Sequence, residues 1–599
     1  MVSFKQWKAI PTILVLAGIV CIALVWAVLA GGRSQAQAST FTVNTTLDEQ
    51  DAYTGDGICE TAPGNGTCSL RAAVQESNSL PNADVIVLPA GVYTLTLAGI
   101  LEDWSRYGDL DILGVLTLQG AGAEVTIIDG NQLDRVIDLS WSPVELEISG
   151  VTIRNGNVDF PAGLRDDLPR LAENGGCVRN LGALTLRDSV VAGCRAGRKG
   201  GGIYTEGVLD LQRIEVRSNQ AGEAGGGIFV AAVAPVVTLT STPFPLPTTW
   251  PSPTVTPTWT PFAFVTSTPT ATPGALPVSS EQIEVSVGLT VSPVPATPTP
   301  RFTPVNPPPV AVGATIRDSV IEDNLAPHGG GVYNTDQLAL DRVLLSHNWA
   351  VDSTAPLCCS DGGGLEPSGG GIYSEGRLTL SDSQVISNTA SGQGGGLVNW
   401  LIAESYRSDF AGNRAGSDGG GIFNLKWLSL NDSMVRNNVA EDLGGGIANN
   451  DLGGYYSGTI YLEGSTVSGN TSHSKGGGIA NGTPDFVNEY RLEQVWLTNS
   501  TVSDNVADGS GGGIYTGLGT YSRVFLNNTT ITANVADADG DEEGDGGGIF
   551  NRLGEVQLRN SILAANQDHS QGTQRPDCWT PRRVLSLLLR GSKRITRSR

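Results

Sequence analysis

Triplets of glycine recur along this chain at a near-constant interval, and that recurrence restricts the fold more than any other feature. They begin at Gly200, Gly225, Gly329, Gly369, Gly394, Gly419, Gly444, Gly476, Gly511 and Gly546, with a degenerate copy at Gly175-Gly176-Cys177. The spacing is 25 residues from 175 through 225 and again from 369 through 444. The later gaps of 32, 35 and 35 residues read as one coil plus a loop, and a triplet at Gly362 is out of register and reads as loop. Self-similarity at such a period marks a solenoid.

Two further marks are locked to the triplets. An asparagine lies six residues ahead at Asn219, Asn388, Asn413, Asn438, Asn470 and Asn505; Cys194 fills that slot before Gly200, and Asn534 lies twelve ahead of Gly546. Five residues past the start of the triplet stands another polar turn residue, at Asn334, Asn399, Asn424, Asn449, Asn481 and Asn551. Before each leading asparagine runs an apolar alternation such as Leu378-x-Leu380, Ser383-x-Val385, repeated at Leu428, Val495 and Val556. Period-2 alternation over so few residues is a half-buried strand. With the Gly-Ile-Tyr/Phe segment after the triplet, each repeat is expected to hold three short strands.

One such coil cannot bury its own apolar face. Stacked in parallel, every strand pairs with the coil above and below at about 4.8 Å, and equivalent Leu, Val and Ile residues form interior ladders. Asparagine at a fixed turn position is suited to a ladder of side-chain hydrogen bonds. Glycine at 78 of 599 residues and aromatics at 6% suit a narrow interior with many tight turns. The expected fold is all-β: a right-handed parallel β-helix of about 25 residues per coil, with a short capping helix near its N-terminus. A leucine-rich repeat would need a helical pattern in every repeat, and a propeller would need four-stranded blades of about 40–45 residues.

The flanks divide the chain. Residues 1–38 carry Lys5 and Lys8, an apolar run from Ala9 to Ala30 and the Ala36-Gln37-Ala38 site of a cleavable signal peptide. The apolar run is also long enough to serve as a signal anchor, and either reading exports the rest. Residues 39–81, with Ser69–Gln75 as an amphipathic helix, read as an N-terminal cap over the open sheet edge. Residues 82–239 hold the first coils. Residues 240–310 are a Pro/Thr/Ser tract, a disordered insertion or linker. It either loops out between two coils or separates two β-helix segments, and its composition suits O-glycosylation. Residues 311–578 hold the remaining coils, and 579–599 form an atypical basic tail, either membrane-binding or a truncated or frame-shifted terminus.

The segment Gly55-Asp56-Gly57-Ile58-Cys59 through Cys68-Ser69-Leu70-Arg71-Ala72-Ala73 resembles the bacterial surface-protein domain named for a Cys-Ser-Leu-Arg-Glu-Ala signature, with Ala72 in place of the glutamate. The Gly-Gly-Gly-Ile and Ile/Val-x-x-Asn repeats resemble those of polymorphic outer membrane proteins and of pectate-lyase-like β-helices. The resemblance spans about residues 40–578 and implies a surface or secreted protein, adhesive where it follows the polymorphic proteins. Their autotransporter barrel pattern is not found here.

Chemistry is sparsely marked. Cys59 and Cys68 lie close together in a turn-rich stretch and form the best candidate disulfide; Cys177, Cys194, Cys358, Cys359 and Cys578 leave the exported count odd. An aspartate recurs ahead of the strand serine at Asp188, Asp318, Asp382 and Asp432, giving way to Asn499, Asn528 and Asn560. It reads as an Asx turn, with a calcium-binding stack as the alternative. Asp537-Ala538-Asp539-Gly540-Asp541-Glu542-Glu543 reads as a solvated acidic loop, and calcium is again the alternative, although Glu542 stands where a calcium loop wants glycine. His328, His347, His473 and His569 share no metal or triad spacing. Trp104, Trp141, Trp400 and Trp427 either stack sugars or cover coil faces. No catalytic residue is identifiable from the pattern, no metal ligand is assigned, and no cofactor other than calcium is expected.

A net charge of -23 disfavours nucleic acid and anionic membranes as partners. The reading is an exported, monomeric cell-surface or secreted β-helix, adhesive, structural or carbohydrate-binding. Its partner would be an extracellular or cell-surface polysaccharide or another cell surface, with membrane contact only through an uncleaved N-terminal anchor. The alternative is a polysaccharide lyase or glycoside hydrolase with a groove walled by loops such as Val351–Pro367 or Asp451–Gly458.

Overall fold

The computed structural model describes residues 38–140, 144–160, 172–232, 313–352, 366–449, 458–482, 493–517, 522–541, 544–570, 574–580 and the backbone of 585–587. Among these residues every strand pairing is parallel, and each sheet takes one strand from each successive coil. A parallel crossover of this kind is right-handed for reasons of strand twist. The chain is a right-handed parallel β-helix.

A regular coil carries four strands, one more than the sequence pattern suggests. In the coil after Gly369 they are Ile372–Ser374, Arg377–Ser381, Gln384–Ile386 and Thr389–Ala390. We number the sheets in chain order from the longest strand. Sheet 1 holds strands such as Arg377–Ser381 and has 16 members; sheet 2 holds Gln384–Ile386 and has 14; sheet 3 holds Thr389–Ala390 and has 12; sheet 4 holds Ile372–Ser374 and has 14. The strand missed by sequence reading is the two-residue segment of sheet 3. It follows the ladder asparagine directly and is too short to show any alternation.

Inward positions of sheets 1, 2 and 4 form one continuous apolar core, as in Leu378, Leu380, Val385 and Ile372, each essentially without exposed surface. Burying a side chain of this size contributes about 1.5–3 kcal/mol. Repetition through the stack compensates for the small cross-section of each coil.

Three polar ladders hold the corners in register. Asn388 N donates to Asn413 Oδ1 at 3.0 Å, and Asn413 N donates to Asn438 Oδ1 at 2.9 Å. The same bond continues through Asn470, Asn505, Asn534 and Asn566. A second asparagine ladder ends the sheet 4 strands, where Asn399 Nδ2 donates to Asn424 Oδ1 and Asn424 Nδ2 to Asn449 Oδ1 at 2.7 and 2.8 Å. A serine ladder follows sheet 1, with Ser383 N donating to Ser408 Oγ and Ser408 N to Ser433 Oγ.

The glycine triplet serves two purposes. Its first residue takes a left-handed backbone, as Gly369 does at φ 71°, which costs glycine little. The second and third lie against the next coil. A Cβ on Gly331 would meet Gly371 O at 2.7 Å and the Asn348 side chain at 3.1 Å. The triplet is therefore tied to the asparagine of its own coil.

Across the Pro/Thr/Ser tract, which lies outside the described residues, Val208–Gln212 pairs with Ala314–Arg317, and Asn219 N donates to Asn324 Oδ1 at 3.0 Å. The coils on either side are thus direct neighbours in the stack. At the far end, pairing runs past Cys578: Cys578–Trp579 pairs with Ile549–Phe550, and Leu585–Leu587 pairs with Val556–Leu558.

Near the N-terminus, Thr40–Thr42 pairs with Val85–Val87 in sheet 1, and the helix Leu70–Ser79 contacts Asp84–Leu88 of sheet 1 and Leu110–Asp111 of sheet 4. Ser69 caps the helix, its Oγ accepting from Ala72 N at 3.0 Å.

Candidate functional site

The helix Leu70–Ser79 organises the polar centre of the N-terminal region. Its Arg71 is fully buried. The guanidinium donates to Asp48 Oδ1 at 2.6 Å, to the carbonyls of Ser105 and Asp109 at 3.1 Å, and to that of Gly108 at 2.8 Å. Gln75 Nε2 donates to Ser105 O, and Asn78 Nδ2 to Asp111 O. Asp48 also accepts from the backbone of Thr96 and Leu97. The loop from Thr96 to Asp111 is thus held at both ends by this helix and its aspartate partner.

Behind that loop lies a cavity of about 40 Å³, lined by Leu101, Glu102, Asp103, Asp109, Asp134, Arg135, Asp138, Phe160, Ala172 and Arg179. Asp111, Asp138 and Arg179 stand at equivalent positions of successive sheet 4 strands. Arg135 Nη1 donates to Asp109 Oδ2 at 2.9 Å and to Asp138 Oδ2 at 3.4 Å. Arg179 binds both oxygens of Asp138, through Nε at 2.9 Å and through Nη2.

Burial and the nearby Asp134 push the Asp109 carboxyl up to about 7, against the pull of Arg135. Burial and the charge of Asp109 push Asp111 up to about 9, and burial also raises Asp134. Burial alone would raise Asp138, but Arg135 and Arg179 hold it below the usual carboxylate range. Such displaced carboxyls beside arginines mark a site that can hold a proton or a cation. The cavity has room for a water molecule or a single ion and not for a sugar ring. Sequence reading missed this group, because Asp109, Asp111, Asp134 and Asp138 fall in the irregular first coils where no repeat frame exposes their spacing.

The residues singled out from the sequence are distributed as follows. Cys59 and Cys68 form a disulfide, with Cα atoms 5.1 Å apart. Cys177 and Cys194 form a second one that the sequence reading did not propose. Cys578 carries a free thiol packed against the core. Asn219, Asn388, Asn413, Asn438, Asn470 and Asn505 line one buried corner and bond to one another along the stack. In that ladder they are joined by Asn324 and Asn348.

Asp188, Asp318, Asp382 and Asp432 all take left-handed backbone at the corner after sheet 1. They do not stack on one another. The intervening coils place Arg213, Arg342 and Arg407 at the same corner, also left-handed. These arginines pair with Asp188, Asp318 and Asp382 at 2.6, 2.5 and 2.6 Å. The result is an alternating charge ladder, and the calcium stack is not what this corner builds. In the acidic loop, Asp537, Asp539 and Asp541 bring carboxylate oxygens within 4.8 Å of one another, while Glu542 and Glu543 lie outside the described residues.

The four histidines occupy unrelated places. His328 packs on Tyr373, His347 sits at a left-handed corner, His473 pairs with Asp508 at 2.8 Å, and His569 contacts Gln567. Trp400 packs on Tyr373; Trp427 stands at the head of a row on the outer face of sheet 1 that continues through Tyr461, Trp496 and Phe525. Trp104 is 67% exposed on the cavity loop. Trp141 lies outside the described residues, as do most of Val351–Pro367 and Asp451–Gly458.

Fold and bonding define a disulfide-bonded parallel β-helix. The Chlamydia polymorphic membrane protein repeat matches residues 499–517, the coil of Asn505 and Gly511. No curated protein matches the chain. Among solved structures it is similar to the mannuronan C-5 epimerase AlgE4 A-module of Azotobacter vinelandii, at 13% identity and TM-score 0.30, over 90% of this chain and 99% of that one. It is also similar to the catalytic domain of a GH87 alpha-1,3-glucanase in complex with nigerose, at 11% identity and TM-score 0.24, over 92% of this chain and 69% of that one.

Proposed function

We propose that this chain is an exported surface or secreted rod that binds carbohydrate or another cell surface and does not cut its ligand. The observation that carries the reading is the aromatic row Trp427, Tyr461, Trp496 and Phe525. It crosses four successive coils on the outer face of sheet 1, with ring centroids 4.6, 6.1 and 3.7 Å apart. A rigid row of half-exposed rings offers apolar edge and face to a sugar chain without any reacting group. Two disulfides favour an oxidising, extracytoplasmic compartment, and the polymorphic membrane protein repeat match supports a surface location. The helix Leu70–Ser79, buried along most of its length, serves in this reading as the cap of the open end.

The second reading is a polysaccharide lyase or glycoside hydrolase, favoured by the Asp109, Asp111 and Arg135 group. It ranks second because the cavity there is smaller than a sugar ring. The test is to incubate the full chain with a panel of acidic and neutral polysaccharides, following retention on immobilised polymer, new reducing ends and the ultraviolet absorbance of unsaturated products. Retention without cleavage, weakened in Trp427→Ala and Trp496→Ala, is the expected result. Cleavage of any substrate, lost in Asp109→Asn, would replace the binding reading with the enzymatic one.

A further inference from the structure

We propose that Asp103, Asp111 and Asp138 form a calcium site that fastens the loop Thr96–Asp111 to the first strands of sheet 4. Each residue presents a carboxylate oxygen, and the three oxygens all lie within 4.8 Å of one another. Ligands on a sphere of the usual calcium–oxygen radius, about 2.3–2.6 Å, are separated by no more than about 5 Å. The spacing therefore fits one shared ion.

The second observation is independent of that spacing. Asp111 is fully buried, and its Oδ1 has no hydrogen-bond partner, while Oδ2 accepts from Ser105 N at 2.7 Å. A buried carboxylate oxygen with nothing to bond is costly. A cation at the meeting point of the three carboxylates would satisfy it.

Charge balance points the same way. Asp109, Asp111, Asp134 and Asp138 are buried around the cavity, and the cations facing them are Arg135 and Arg179. Carboxyl groups thus outnumber the cationic side chains two to one around this space. Asp138 Oδ2 is taken up by Arg135, Arg179 and Ser140 Oγ, whereas Oδ1 accepts from Arg179 Nε and keeps a second lone pair to share. The donor set is all oxygen, with neither imidazole nor thiolate, which selects a hard cation. Asp103 is exposed on the loop and the other two are buried, so the ion would tie an exposed loop ligand to a buried pair. Trp104, adjacent to Asp103, would report the event.

The experiment is a calcium titration of the full chain by calorimetry after chelator treatment, in wild type, Asp103→Asn, Asp111→Asn and Asp541→Asn. The last is a control for the separate acidic loop. Wild type should bind one more equivalent of calcium than Asp103→Asn and than Asp111→Asn, and Asp541→Asn should retain that equivalent. Calcium should also shift tryptophan emission in wild type by an amount absent in Trp104→Phe. Equal stoichiometry in wild type and Asp103→Asn, a change at an exposed position that spares the core, would overturn the proposal. So would a wild-type protein that binds no calcium.

Discussion

Cys177 and Cys194 are joined across 17 residues, the same interval that separates Gly202 from Asn219 and Gly371 from Asn388. In those coils the third glycine of the triplet lies against the ladder asparagine. Here both partners are cysteine, so a covalent bond stands where the glycine–asparagine contact would be, and Cys194 N still donates to Asn219 Oδ1 at 3.0 Å.

This equivalence predicts a rescue. Closing a loop of this size constrains the unfolded chain by about 3 kcal/mol in the chain-entropy account. Cys177→Ser and Cys194→Ser should each lower the thermal midpoint followed by circular dichroism. Cys177→Gly combined with Cys194→Asn should recover part of the loss, because it rebuilds the contact found in neighbouring coils. A double variant no more stable than either single one would show that the two sites are not equivalent to the glycine–asparagine pair.

Close approach makes a second prediction about the triplet. A Cβ on Gly446 would lie 2.6 Å from Gly478 O and 2.9 Å from the Asn470 amide, whereas one on Gly114 would meet nothing within 4 Å. Gly446→Ala should destabilise the chain by about 1–3 kcal/mol, the usual range for overpacking, with Gly114→Ala within about 0.5 kcal/mol of wild type. Denaturant midpoints of the two variants measure the contrast, and equal midpoints would contradict it.

Much of this architecture was legible because a repeat samples the same environment many times. A lone Asn438 would carry no information; an asparagine at the same offset from a triplet in coil after coil identifies a corner. The second disulfide was only half legible: Cys194 stands in an asparagine slot, but the matching replacement at Cys177 becomes meaningful only once glycine and asparagine are known to touch. The alternating charge corner escaped notice because Asp188 and Asp318 were compared with each other and not with Arg213 between them in the stack. The cavity residues were invisible for a different reason. Asp109, Asp134 and Arg135 are brought together by irregular coils and by Arg71, whose partners Ser105 and Gly108 lie far along the chain.

His328 provides a pH prediction. Burial lowers its pKa; its ring packs 5.4 Å from that of Tyr373, and its Nδ1 is buried without a partner. The unfolded chain binds a proton near 6.5, and the folded one does so only at lower pH. Stability is therefore fully present above about 6.5 and is lost as pH falls below it through the folded pKa. Thermal midpoints measured from pH 8 to pH 5 should fall more steeply for wild type than for His328→Gln. Parallel profiles would remove His328 as the cause.

The asparagine ladder yields the most local prediction. Asn413 Oδ1 accepts from both Asn388 N and Asn388 Nδ2, at 3.0 and 3.1 Å, while its Nδ2 donates to Val385 O at 2.8 Å and to Asn438 Oδ1 at 3.0 Å. Asn413→Ala would strand the backbone donor of Asn388 and take one partner each from Val385 O, Asn388 Nδ2 and Asn438 Oδ1, the last two keeping Leu345 O and the backbone N of residue 413, in a corner with no exposed surface. Each stranded group costs about 1–3 kcal/mol. Because coils contact only their neighbours, the damage should stay local. Hydrogen exchange should show lost protection in Gln384–Ile386 and Met434–Arg436 and little change near Cys59 or Asn534. Asn431→Ala, where Nδ2 bonds Ser429 Oγ on the outer face, should leave the same peptides protected. Loss of protection along the whole stack would mean that the coils unfold as one cooperative unit and that the ladder holds all of them together.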